Sequence, residues 1–314
     1  MATGSPAAPT LSGNTLSIDA YLNNPKYYAR YTADIMNTRP VGGILLKERV
    51  DVTGAGSLLF EGVDSLFPDQ GASIVDQLGD YPMVTDSNGQ PSLAATIKNG
   101  IATEFSDELV ARGRLDQLKR KTRKLTNSVG KLFDTTVTTA ISSAVTATTP
   151  ATATFDAAGA KAFRDIQVAA AKVMEAGDAV GVSYTPDVVA CRPLIFAYFV
   201  EELVKIGALQ KAEALVANAT GVAYSAADGM TYVRTNATFG SGNRVLIADS
   251  DMLGGIAHEN LGGGYERTGS DPLDIEVKVI REDKRDGWHI QARKVGVPFI
   301  TDPAAGIWVT GAGA

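Results

Sequence analysis

Residues 115–145 constrain this chain more than any other stretch, because they pattern as one long helix with a single apolar stripe. With Leu118 as the reference and roughly 100° per residue, Leu125, Val129, Leu132, Thr136 and Ala140 fall within about 40° of it. Arg120, Lys124 and Lys131 lie about 200–240° away, on the opposite face. Unbroken, the helix spans roughly 45 Å. A helix of that length takes most of its stability from neighbours packed along it. Ser106 is the expected N-cap, Asp107 and Glu108 follow where a helix N-terminus favours negative charge, and Gly113 is a candidate kink.

Near the other end of the chain, Leu273, Ile275, Val277 and Val279 alternate with Asp274, Glu276 and Lys278, which predicts a half-buried strand over 273–281. Residues 283–287 supply a turn, and Trp288, Ile290 and Ala292 continue the alternation on a return strand over 288–303. At the beginning, 1–13 is small and polar. A short helix follows, with Asn24 as N-cap, Pro25 at the first helical position, and Tyr28, Tyr31 and Ile35 on one face. Residues 44–53 and 58–63 read as strands joined by a Gly54-Ala55-Gly56 turn. Residues 64–92 are punctuated by Pro68, Gly71, Gly79, Pro82, Gly89 and Pro91, which predicts a projecting or functional loop. A Thr/Ala/Pro linker over 146–154 leads to a helix over 156–176, a strand over 187–191, a helix over 193–206 opened by its proline, and glycine-punctuated strands including 244–249. This alternation suggests a mixed α/β domain.

The chain is long enough for a sizeable core, and its 45% hydrophobic and 20% charged residues are ordinary for a globular protein. The start lacks the basic-then-apolar pattern of a signal peptide, and no run is long enough to span a membrane. A soluble cytosolic product is therefore expected. Cys191 is the single cysteine, so no intrachain disulfide is possible. The net charge of −6 gives no general reason to expect nucleic-acid binding.

Enzyme signatures are missing. His258 and His289 have no partner at metal-ligand spacing, and His258-Glu259 lacks the second histidine of a zincin. No Gly-x-Ser-x-Gly elbow or P-loop occurs, and Gly54-Ala55-Gly56 and Gly240-Ser241-Gly242 lack the third glycine of a dinucleotide loop. Asp249 and Asp251 lack further ligands for a metal. Gly262-Gly263-Gly264 reads as a flexible connection, with a phosphate cradle in an α/β enzyme as the alternative. No cofactor, metal or catalytic residue is expected.

Charge is segregated along the chain. From 112 to 131 the residues Arg112, Arg114, Lys119, Arg120, Lys121, Arg123, Lys124 and Lys131 face only Asp116, about +7 in all. From 48 to 97 the acids Glu48, Asp51, Glu61, Asp64, Asp69, Asp76, Asp80 and Asp86 face only Arg49, about −7. A solvated helix face, nucleic-acid contact, and docking of the acidic segment on the basic one are the three readings of this imbalance. Asp76, Asp80, Arg120, Lys124 and Lys131 are the candidate inter-subunit contacts.

The segment order, together with Lys98-Asn99-Gly100, Ser106-Asp107-Glu108, Lys131-Leu132-Phe133-Asp134, residues 245–249 and Val297-Pro298, resembles the major capsid protein of tailed bacteriophages. The resemblance implies an α+β fold of the Hong-Kong-97 type. It implies an N-terminal arm (1–43), an extended β-hairpin loop (44–96), and a peripheral domain with the spine helix (97–152). A mixed α/β axial domain (153–267) and closing strands of the peripheral domain (268–314) would complete it. It implies a virion shell of hexamers and pentamers around double-stranded DNA, assembled in the host cytoplasm. Some members weld their shells by an isopeptide bond from a loop lysine; no lysine stands between Lys47 and Lys98 here, so that weld is not expected. The 40 or so residues before the first strand are too few for an independent scaffolding domain, so a separate scaffolding protein is implied, with a portal and an optional cement protein. An encapsulin-like compartment is the alternative within the fold.

Overall fold

The computed structural model describes residues 26, 29, 41–68, 71–77, 80–84, 91–111, 115–157, 159–207, 209–210, 213, 222–225, 228–235, 243–267 and 274–313. The short helix expected around Tyr28, Tyr31 and Ile35, the candidate kink at Gly113 and the Gly240-Ser241-Gly242 stretch lie outside the described residues. The chain divides into two compact units.

The first unit contains Ile97–Phe133 and Asn260–Val295. Its sheet is built from β4 (Ile97–Ser106), β11 (Glu266–Arg267), β12 (Glu276–Glu282) and the first part of β13 (Gly287–Ile300). β12 and β13 are antiparallel, with Val277 opposite Ala292 and Val279 opposite Ile290. Their connection is the 3-10 turn Asp283–Arg285, closed by Asp286 in the left-handed region (φ 44°). The ribbon expected from period-two alternation is thus present. Its inward residues Ile275, Val277, Ile290 and Ala292 are buried with Phe105, Leu118, Leu125 and Val129. The last three belong to α3 (Leu115–Ala144), which follows the short α2 (Asp107–Ala111). Ser106 closes β4 rather than capping one continuous helix.

Asp107 meets Arg281 through both guanidinium Nη groups, and Arg285 reaches Glu104 at 3.2 Å. The Arg281 hydrogen bonds hold the Asp107 carboxyl below its ordinary range. A carboxyl lowered in the folded state stabilises it above the unfolded value, and that contribution is lost as pH falls through the folded value. Asp107→Asn should therefore lower the urea midpoint at neutral pH, converge with the unsubstituted protein at the acid end, and so flatten the acid limb between them.

The second unit contains Val41–Thr96, Asp134–Glu259 and Gly296–Ala314. Its main sheet has the order β5–β14–β9–β6–β8–β7, from β5 (Thr148–Pro150), β6 (Val188–Cys191), β7 (Val222–Ser225), β8 (Met230–Arg234), β9 (Val245–Ala248) and β14 (Gly306–Thr310). β6 and β9 are buried at every position, as expected of strands covered on both faces. Helix α4 (Ala162–Val180) packs on β14 and β9, and α5 (Pro193–Lys205) packs on α4 and β8. Phe199 stacks on Tyr232 at 4.4 Å between ring centres. α4 ends at Gly181 in the left-handed region (φ 79°). One turn earlier, a Cβ on Gly177 would sit 2.4 Å from the Val182 carbonyl oxygen, so only glycine fits there.

Two expectations fail here for one reason. Residues 42–45 form a helical turn, α1 (Gly42–Leu45), whose Gly42 N–H donates to Asp134 Oδ1, rather than the start of a strand. β1 (Glu48–Asp51) and β2 (Ser57–Glu61) do flank the Gly54-Ala55-Gly56 turn but do not pair with each other. β1 runs parallel to β10 (Gly254–His258), which pairs in turn with the last residues of β13, and β2 pairs with β3 (Pro91–Ala95). Long-range pairing won over the local turn. β5 within the expected linker, and the start of α4 six residues later than 156, are further differences.

The buried face of α3 also departs from a straight stripe. Phe133, Val137 and Ile141 are buried, while Leu132 is half exposed. Thr136 and Ala140 line an open groove of about 400 Å3 with Thr135, Thr139, Ser143, Val297 and Pro298. Steps of four residues advance about 40° each, so from Leu118 to Ile141 the buried stripe turns by about 140° around the helix.

Candidate assembly surfaces

β2 and β3 form a separate two-stranded ribbon whose two faces meet different surroundings. Leu58, Phe60 and Ala94 pack on Val52, Ala257 and Phe299, with the Phe60 and Phe299 rings 5.4 Å apart. On the other face Leu59 stands directly opposite Leu93, and both are more than two-thirds exposed (68% and 69%). The ribbon is fastened at its root. Thr96 N–H and Oγ1 donate to the Gly56 carbonyl, and Oγ1 lies 2.7 Å from Glu259 Oε2.

Beyond β2 the chain is held briefly against its own unit. Val63 N–H donates to the Thr301 carbonyl, Leu66 N–H donates to the Val180 carbonyl, and Leu66 and Phe67 lie against Gly181. Residues 71–77 and 80–84 then form neither helix nor strand. Here Ile74, Tyr81 and Met83 are almost wholly in solvent, at 101%, 82% and 90% exposure. Contiguous exposed apolar side chains mark surfaces that something else covers. The sequence placed a projecting loop here, but it did not show Leu59 and Leu93 as a pair, because their register depends on strands more than thirty residues apart.

Asp76 and Asp80 sit exposed on this excursion, in the second unit. Arg120, Lys124 and Lys131 are exposed on one face of α3, in the first unit, together with Arg123. Lys121 turns inward instead: its Nζ donates to the Glu104 carbonyl at 2.7 Å and stands 4.5 Å from the Phe105 ring centre.

The residues weighed for chemistry have other occupations. Cys191 is wholly buried, and burial pushes its thiol up to about 12, far from a reactive thiolate. His258 is buried in β10, and His289 Nδ1 lies 3.3 Å from Glu282 Oε1. Asp249 accepts from the backbone N–H groups of Thr185, Asp251 and Met252, which makes it a turn-former. Asp251 reaches Lys47 at 3.3 Å, and Lys47 also meets Asp187 at 2.5 Å. All three glycines of Gly262-Gly263-Gly264 have positive φ. Their carbonyls point to cations: Gly262 accepts from Arg293 Nη2 at 2.7 Å and Gly263 from Lys278 Nζ at 2.8 Å. A phosphate cradle would need N–H groups turned to the ligand. Among the described residues no helix is long and apolar enough to cross a membrane.

Solved structures share this architecture at low sequence identity. A virus-like particle from Pyrococcus furiosus matches with a TM-score of 0.56 at 11% identity, over 91% of this chain and 98% of that one. The capsid of the cyanophage P-SCSP1u matches at 0.54 and 13%, over 85% and 86%. A phage-related protein from Bordetella bronchiseptica matches at 0.53 and 9%, over 90% and 96%. No curated protein matches the chain. The fold is that of the Hong-Kong-97-type capsids, as the resemblance implied. A model of the phage capsid protein family matches residues 89–309, which take in β4, the whole of α3, the main sheet and most of β14. The chain belongs to the phage capsid protein family, and it is a structural shell component of a virion.

Proposed function

We propose that this chain is the major head subunit, forming the hexamers and pentamers of an icosahedral shell that encloses double-stranded DNA, without enzymatic activity of its own. The observation that carries the reading is the set of apolar side chains that a monomer leaves in water between Leu59 and Val84, above all Leu59, Ile74, Tyr81 and Met83. Neighbouring copies would cover them. In this reading the peripheral domain is drawn from 97–152 and 268–314 and the axial domain from 153–267, with β5 and β14 joining the axial domain's sheet. A separate scaffolding protein and a portal are its partners, a cement protein is optional, and assembly takes place in the host cytoplasm. Electron microscopy and sedimentation of the purified chain, with and without scaffold, test it. Closed particles are expected, and a compact ~33 kDa species at every concentration would count decisively against a shell. The likeness to the Pyrococcus furiosus particle supports a second reading, a compartment shell. Particles that package protein rather than DNA would favour it.

The separated charges suggest how neighbours find register. We infer that Asp76 and Asp80 of one subunit dock against Arg120, Lys124 and Lys131 of the next. Exposed pairs contribute only about 0–1 kcal/mol each and are screened by salt, so they guide assembly rate more than final stability. Reversing Arg120 and Lys124 to Glu should slow empty-shell assembly at low salt, and adding Asp76→Lys and Asp80→Lys should partly restore it. Normal assembly with failure only in DNA retention would assign the basic face to DNA instead.

Without a lysine between Lys47 and Lys98, mature particles should run as single chains in denaturing electrophoresis. A ladder resistant to heat and reductant would overturn that expectation.

A further inference from the structure

β4 is a ten-residue strand with one strand partner, β13, among the described residues. Its other edge has no strand paired to it among the described residues, where Lys121 Nζ meets the Glu104 carbonyl. Proteins usually blunt such an edge with proline, a bulge or a very short strand, and β4 has no proline and is long. Its side chains are uncovered as well. Lys98, Gly100, Ala102 and Glu104, which share one face by alternation, are all exposed, and on the other face Ile97 and Ile101 are 47% and 44% exposed. The Asn99 Nδ2 donor is withdrawn from solvent and has no acceptor. An unpaired edge with this much apolar surface fits an added strand.

The sequence of the strand indicates which strand. If β4 is laid antiparallel to a second β4 about a two-fold axis at Ile101, the pairs are Ile101 with its own copy, Gly100 with Ala102, Asn99 with Thr103, and Lys98 with Glu104. Each pair is complementary. Ile101 closes an apolar centre, and the two small residues allow close approach. Asn99 and Thr103 set one polar side chain opposite another. Lys98 and Glu104 form two reciprocal ion pairs, with Arg285 already 3.2 Å from Glu104 on the same chain. Opposite charges and apolar groups directly across an antiparallel pair stabilise it, and a self-complementary patch is what a two-fold contact requires. We propose that β4 is a two-fold interface between copies of this chain, joining two subunit sheets edge to edge. The proposal names one contact of the shell reading and rests on it for its setting.

A single substitution tests this, because only the residue on the axis meets itself. Central pairs have Cα atoms about 4.5–5.5 Å apart, within disulfide reach, and the native Cys191 is buried out of the way. Ile101→Cys in the full chain, oxidised after purification, should give covalent dimers and nothing larger in non-reducing electrophoresis, while the unsubstituted chain runs as a monomer. Glu104→Lys, which sets like charges opposite each other, should weaken dimerisation by about tenfold in sedimentation. Adding Lys98→Glu to it should restore dimerisation. Absence of the covalent dimer overturns the pairing, and so does a ladder extending beyond two chains. Electron microscopy of the same samples separates the two readings. Closed particles without the covalent dimer leave the shell standing and remove this interface. The dimer without particles does the reverse.

Discussion

Glu276→Ala should destabilise the protein by about 3–5 kcal/mol, the usual loss when one partner of a buried ion pair is removed. Arg293 Nε donates to Glu276 Oε2 at 2.7 Å, and both residues are only 6% exposed. Arg267 Nε stands 3.5 Å from the other carboxylate oxygen. Without that carboxylate a guanidinium remains buried and unneutralised. The same Arg293 places its guanidinium over the Tyr265 ring, 3.6 Å from the ring centre, and holds the Gly262 carbonyl. The loss should therefore also loosen the glycine loop. A urea titration gives the magnitude, and limited proteolysis gives the second readout, with new cleavage near 260–264. Glu276→Leu combined with Arg293→Met should recover much of the stability, since replacing both partners leaves no stranded charge, yet it should leave the loop susceptible. A loss under about 1 kcal/mol for Glu276→Ala would mean that water reaches the pair.

Trp308→Ala should be about as damaging. Trp308 is 1% exposed in the middle of β14, between β5 and β9, and is the largest fully buried side chain among the described residues. Truncating a buried tryptophan typically removes about 3–5 kcal/mol through lost burial and the cavity left behind. Its Nε1–H also donates to the Val145 carbonyl at 3.0 Å, just past the end of α3. Trp308→Phe separates the two contributions. It keeps most of the packing and strands the carbonyl, for a loss of about 1–3 kcal/mol. Near-equal losses for the two variants would assign the residue's role to the hydrogen bond rather than to volume. Chemical denaturation followed by far-ultraviolet circular dichroism suits both variants.

What could be read from the residues alone was whatever local periodicity writes down. α3 was legible nearly to its last residue, and β12 and β13 followed from strict alternation, because each stripe is an unbroken local pattern. β4 was not foreseen. Its Ile97, Ile101 and Phe105 recur every four residues, a spacing common to strand and helix, and only β13 settles the matter. β5 was hidden in Thr-Thr-Pro, which becomes a strand because β14 lies beside it. The Gly54-Ala55-Gly56 turn was recognised, but its strands were given each other as partners, because loop length says nothing about a competitor two hundred residues away. The candidate contact residues were found by charge, which needs no fold. The exposed Leu59–Leu93 pair was missed because exposure is a property of the folded chain.

The turning stripe on α3 bears on how this helix can change over evolutionary time. One residue inserted between Val129 and Phe133 would rotate everything beyond it by about 100°, lifting Val137 and Ile141 out of the pockets that bury them. Two inserted residues would do nearly twice that. Seven or eleven residues return the helix to within about 20° of its former phase. Exposed letters of α3 outside its basic contact residues are thus free to change over generations, but its length is quantised, and related chains should differ there by whole blocks or not at all.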